Sequence, residues 1–156
     1  MIFLKPMSAE TFESFKRDSQ TAYATNLASV EDIPLEVALK SASEQFDKLV
    51  PTGTYTTGQS FFDVLETGSG KPVGYLWLGI QNRFDRKVVS INDITIIPAY
   101  RGRGLGKSLM KLVEQEARKT GASRIRLHVF HSNEVAKRLY RSMGFVPTNL
   151  DMRKEL

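Results

Sequence analysis

The sequence predicts one mixed α+β domain over residues 1–156, with a mostly antiparallel twisted sheet, one parallel strand pair and about four flanking helices. Three observations predict it. The strand-like stretches Gln59–Glu66 and Val73–Ile80 are joined by Thr67-Gly68-Ser69-Gly70-Lys71-Pro72, a hairpin signature. After a polar turn at Gln81–Lys87, Val88–Ile97 extends the hairpin into a meander. That strand runs into a turn of Gly and Arg, an amphipathic helix and then an alternating stretch at 124–129. A helical crossover makes the strands on either side of it parallel.

Composition bounds the rest. A chain of 156 residues that is 41% apolar and 25% charged supports one core and is short for two. With no cysteine, structural disulfides, thiolate zinc sites and a cysteine nucleophile are excluded. No metal is expected. The formal charge is +5, and much of the excess lies between Arg83 and Arg153, which suits a polyanionic ligand. No aromatic-interleaved basic strand or nucleic-acid module accompanies it, so no nucleic-acid partner is expected. No signal-peptide pattern is visible, and no apolar run approaches the ~20 residues of a membrane span. A cytoplasmic protein without a membrane partner is the expectation.

The elements follow in order. Ile2-Phe3-Leu4 reads as a short first strand. Ser8 is placed to cap a helix whose inner stripe is Phe12, Phe15, Ser19, Ala22, Tyr23 and Leu27. Pro34 suits the first turn of a second helix with Leu35, Ala38, Leu39, Ala42, Phe46 and Leu49 on one face, stopped by Pro51-Thr52-Gly53. The strand at 73–80 is apolar on both faces and therefore central. The third helix turns Leu105, Leu109, Leu112, Val113 and Ala117 to the sheet and ends at Gly121. Ile125, Leu127 and Val129 alternate with Arg124, Arg126 and His128. A fourth helix starts at Asn133 with Ala136, Leu139, Tyr140 and Met143 inward, and Phe145–Met152 is expected to return as a last strand.

The chemistry concentrates at Ile94–Lys107. A β-branched run stops at Pro98, and Arg101-Gly102-Arg103-Gly104-Leu105-Gly106-Lys107 leads into the helix. Glycines let backbone amides approach a ligand, and the helix start adds unsatisfied N–H groups and a positive dipole end. Together they form a seat for phosphate or pyrophosphate. A P-loop would need glycine at Arg101, and a dinucleotide fingerprint would need a different glycine spacing. The pattern that fits is Arg/Gln-x-x-Gly-x-Gly/Ala. A second block, Asn133-Glu134-Val135-Ala136-Lys137-Arg138-Leu139-Tyr140 with Met143-Gly144-Phe145, fits Asn-x-x-Ala-x-x-x-Tyr…Gly-Phe.

With both blocks in this order, the chain resembles the GNAT superfamily of acetyl-CoA-dependent N-acetyltransferases, specifically over 91–145 and in architecture before that. The resemblance implies a GNAT fold and coenzyme A pyrophosphate held on the amides of residues 101–107. It also implies a splay between the parallel strands for the pantetheine arm, and backbone pairing of that arm with Ile96 and Ile97. Asn133 would contact the cofactor near its pantetheine amides, and Tyr140 would reach its sulfur as the general acid. The implied reaction is acetyl transfer to the primary amine of a small molecule or peptide, by direct attack in a ternary complex. The alternative is a non-catalytic acyl-CoA-binding or regulatory domain on the same fold.

Such a reaction needs a neutral amine, and a lysine-type amine has a reference pKa near ~10.4. It also needs a protonated or stabilised leaving thiolate. Asp93, three residues before Ile96, is the leading candidate base because a mid-strand aspartate is unusual; it could instead be paired with an arginine. Glu66, His128 and His131 are the other candidates. The acceptor, and the choice between monomer and homodimer, are open at this stage.

Overall fold

Nine elements build the chain in the computed structural model, which describes residues 1–156. They are β1 (Ile2–Pro6), α1 (Ala9–Glu31), α2 (Leu35–Leu49), β2 (Gln59–Glu66), β3 (Pro72–Arg83), β4 (Arg86–Ile96), α3 (Leu105–Lys119), β5 (Arg124–Leu127) and α4 (Glu134–Ser142). The strands form one sheet in the order β1-β2-β3-β4-β5, antiparallel except for the β4–β5 pair. This is the GNAT-type α+β architecture the motifs imply.

Alternation along the strands splits the core between the two sheet faces. Val64, Leu76, Leu78, Val89 and Ile91 pack against Leu109, Met110 and Val113 of α3. On the other face Phe61 and Trp77 meet Phe12 and Phe15 of α1 and Phe46 of α2 in an aromatic cluster. Within it, Phe12 and Phe61 stand edge-on with centroids 4.9 Å apart. Ala24, Ala38 and Ala42, all buried, let α1 and α2 approach closely. Ser8 caps α1 as expected, its Oγ accepting from the Thr11 amide at 3.1 Å.

One irregularity positions the site. Leu78 pairs with Ile91, but Trp77 pairs with Asp93, so Asn92 is an extra residue, a β-bulge on β4. The parallel pairing of β4 with β5 runs from Val88↔Arg124 to Ile91↔Leu127 and stops at the same level. Beyond Asn92 the two strands part. The implied splay is present, and the bulge is its local cause, because an inserted residue bends and twists the strand that carries it.

Five details differ from the sequence reading. Ala22 and Tyr23, expected on the inner stripe of α1, are exposed, and Ala24 is buried in their place because α2 packs there. The turn at Gln81–Lys87 is mostly strand, and only Phe84 and Asp85 form the bend, both at positive φ (48° and 61°). Leu35, Leu39 and Leu49 lie on the exposed side of α2, since α1 and the sheet cover only the Ala38–Ala42–Phe46 stripe. β5 ends at Leu127, so His128 and Val129 fall in the loop. The strand expected at Phe145–Met152 does not form. Pro147 offers no ladder donor, and Val146, Leu150 and Met152, the residues meant to supply a buried face, are exposed. The segment instead leads to Arg153, whose guanidinium donates to the Val30 carbonyl at 2.7 Å near the C-terminal end of α1.

Candidate active site

The seat at the head of α3 is built from backbone. Gly102 (φ 76°) and Gly104 (φ 75°) adopt the left-handed conformation, which costs an L-residue roughly 1–2 kcal/mol. Gly104 is the N-cap of α3, and no side chain caps the helix. The amides of residues 102–107 find no acceptor within the protein. A helix start that satisfies none of its own donors is an open anion site. Arg101 Nε donates to the Ile96 carbonyl at 2.9 Å, and an Arg103 Nη donates to the Ala99 carbonyl at 3.2 Å. Both arginines are thereby folded onto the turn, with Arg103 also lying 5.3 Å over the Tyr100 ring.

Gly106 has another reason to be glycine. It lies in helical conformation, and a Cβ there would come within 3.1 Å of Leu139 Cδ2. Its absent side chain brings α3 against α4, and so places the two sequence motifs side by side. The spacing of the motif hid this packing role.

The edge of β4 beyond Asn92 is open, because its pairing with β5 ends at Ile91. Ile97 donates across the ladder to Val73 at 2.9 Å, and antiparallel alternation then turns the backbone groups of Ile96 and Ile94 away from β3, toward the departed β5. Ile97 does not fit the pairing role the sequence assigned to it. Its amide is taken by Val73 and its carbonyl accepts from Tyr100, so Ile94 joins Ile96 on the free edge in its place.

Between the splayed strands and the helices lies a cavity of about 580 Å³. It is lined by both catalytic candidates, Asp93 and Tyr140, together with Asn133 and His128. Glu66 and His131 do not line it. The Glu66 carboxylate instead accepts from Ser69 in the β2–β3 turn at 2.6 Å. Asn133 caps α4, its Oδ1 accepting from the Ala136 amide at 3.1 Å, which leaves its amide N–H₂ to serve a ligand.

Asp93 has no basic partner; the arginine pairing considered from the sequence is absent. It accepts from Ser19 Oγ on α1 and from Thr95 Oγ1 at 3.3 Å. Burial raises its pKa, and the hydrogen bonds from Ser19, Thr95 and the Ile94 amide only partly offset that. Ser19 was read as part of the core stripe of α1, and its contact with Asp93 went unseen. A hydroxyl at a buried position of an apolar stripe was the available signal. Tyr140 is also raised, by burial first and then by the charge of Asp93. Its ring packs against Phe145 with centroids 5.8 Å apart, and its hydroxyl has no protein partner. No group of three or more His, Cys, Asp or Glu side chains is placed to hold a metal ion.

The chain thus combines a free amide seat, an open strand edge and a cavity with a carboxylate and a phenol. Known proteins resemble it along nearly its whole length. The Acetyltransferase (GNAT) family model matches residues 26–145. Over 153 residues the chain is 30% identical to YdgE of Bacillus subtilis (strain 168), an uncharacterised N-acetyltransferase, covering 98% of this chain and 97% of that protein. YycN of the same strain, also an uncharacterised N-acetyltransferase, is 30% identical over 155 residues, or 99% of each chain. The crystal structure of YycN superposes with a TM-score of 0.91 over 100% of this chain and 99% of that one, at 28% identity. AAC(6')-Iy, solved with the bisubstrate analogue CoA-S-monomethyl-acetylneamine, shares the fold at a TM-score of 0.64 and 16% identity, covering 100% and 99%. The chain belongs to the GNAT family of acetyltransferases.

Proposed function

We propose that the protein transfers the acetyl group of acetyl-CoA to a primary amine by direct attack, with both substrates bound together. The observation that carries this is the run of unpartnered amides at 102–107, which follows directly on β4, the strand whose Asp93 lines the cavity together with Tyr140. The amides of 102–107 hold the pyrophosphate, with Lys107 adding positive charge at the rim. Ile96 offers its amide and Ile94 its carbonyl to the pantetheine arm and the acetyl group, the Ile96 carbonyl and the Ile94 amide being taken by Arg101 and Asp93, and Asn133 offers its free amide nitrogen.

Asp93 accepts the proton that the incoming ammonium must lose. Its raised pKa makes it a stronger base than an ordinary carboxylate, and Ser19 and Thr95 fix its orientation. The amine nitrogen then bonds to the thioester carbon as the carbon–sulfur bond breaks. Tyr140, a phenol protonated at neutral pH, gives its proton to the departing sulfur; the surplus proton on the new amide nitrogen leaves through solvent and restores Tyr140, and Asp93 releases its own proton to solvent. The close approach of α3 to α4, which leaves little room for a Cβ at Gly106, sets the helix that heads the seat against the helix that carries this acid.

The test is calorimetric titration with coenzyme A, followed by a free-thiol assay with acetyl-CoA over a panel of amines. Binding with acceptor-dependent thiol release is expected. No heat with coenzyme A overturns the binding reading. Binding without release for any amine overturns the transfer and leaves an acyl-CoA-binding domain.

A further inference from the structure

Arg126 is a charge without a partner inside the cavity. It lies opposite Ser90 in the β4–β5 register, on the sheet face that carries Asp93 and turns toward α1 and α2. It is half-buried, forms no ion pair and donates to no protein acceptor. Gln20 of α1 lines the same cavity, and its Nε2 is buried with no acceptor. Asp93 is the cavity's one carboxylate and Arg126 its one guanidinium; no lysine or second acid lines it. Buried donors left without acceptors are costly, and a ligand that supplies the acceptor relieves the cost.

We propose that the acceptor amine also carries a carboxylate, which Arg126 holds with help from Gln20 while the amine faces Asp93. The acceptor is thus an amino acid or a short peptide. This rests on the transfer reading above and names its substrate class. Ser90 and Asp93 are three residues apart on β4, with the bulge between them, so the backbone positions of Arg126 and Asp93 are offset by roughly 7–10 Å along the strand. Tyr23 and Phe130, with ring centroids 6.1 Å apart, provide an apolar wall for the intervening carbon chain. A polyamine fits poorly, because its second ammonium would meet a like charge at Arg126 and no further acid.

The experiment uses paired ligands that differ only in the anion: 6-aminohexanoate against hexylamine, lysine against cadaverine, and phosphoethanolamine against ethanolamine. Binding to the coenzyme A-loaded and the free protein is read by calorimetry, and turnover by thiol release. A carboxylate member is expected to exceed its partner on the order of tenfold to a hundredfold in affinity or kcat/KM. Arg126→Gln should collapse that ratio toward one without weakening coenzyme A. Equal use of both members in every pair overturns the inference, as does a preference confined to the phosphate pair. So does a loss of coenzyme A affinity in the variant, which would move Arg126 to the carrier side. Coenzyme A titration reads the transfer proposal separately, so the two can fail independently.

Discussion

Asp93 and Tyr140 raise each other's stakes. Asp93 has a raised folded pKa, so the native state binds more protons than the unfolded chain between the unfolded and folded values. Its charge therefore reduces stability as pH rises through that window, and above it the penalty is fully present. Asp93→Asn should consequently raise Tm at neutral pH, each unit of pKa displacement being worth about 1.4 kcal/mol, and should leave Tm unchanged below the unfolded value. Thermal melts at two pH values check this. The same variant should lose kcat/KM more at low pH than at high pH, because the free amine must then form unaided. Tyr140→Phe should lower kcat by roughly 10²-fold or more while the coenzyme A Kd stays put. A kcat unaltered at every pH removes the acid role. Residue identity was legible here where a motif fixed it, as with Tyr140 and Asn133. Ser19 was not, because nothing in an amphipathic stripe announces a contact 74 positions away.

At the scale of elements, periodicity located every helix and the first five strands, and failed where closure depends on partners elsewhere. The segment after Phe145 has strand-like residues but no neighbour to cover them, so its pattern was misleading. The β3–β4 connection erred the other way: the polar stretch Gln81–Lys87 reads as one wide turn, because Phe84 and Asp85 hold a conformation favoured by Asn and Gly and so carry no tight two-residue signal. Replacing them with Asn-Gly should relieve strain of roughly 1 kcal/mol and raise Tm by about 2–4 °C. Activity should be untouched, since neither residue lines the cavity. In contrast, Gly74→Ala would set a methyl 2.1 Å from the Thr95 carbonyl oxygen and must push β3 from β4 beside Asp93. A destabilisation above about 2 kcal/mol, read by urea titration, is expected.

Across the molecule, the site is a junction of parts contributed from both ends of the chain. The proposed anion seat lies between β4 and α3, the proposed acid Tyr140 is on α4, and Ser19 of α1 hydrogen-bonds to Asp93. The seat and acid were legible because short motifs encode them. The cavity was not, because its lining is gathered from α1, α2, β3, β4, β5, the loop after β5 and α4, and the bulge at Asn92 looks like regular strand in the sequence. Gly106→Val tests the junction between α3 and α4. Added methyl groups must displace Leu139, which is one residue before Tyr140. The expected result is a fall in kcat of roughly tenfold that exceeds any loss in coenzyme A affinity. An equal loss in both would place the role of Gly106 in the seat alone.

α4 has no fully buried residue, whereas α3 has four. A segment so lightly anchored exchanges its amide protons through local opening long before the rest unfolds. A carrier held at the head of α3 and touching Asn133 or Tyr140 of α4 would suppress that opening. Deuterium uptake in residues 134–142 should therefore be fast in the free protein and distinctly slower once coenzyme A is added, while uptake at Leu109–Val113 stays slow throughout.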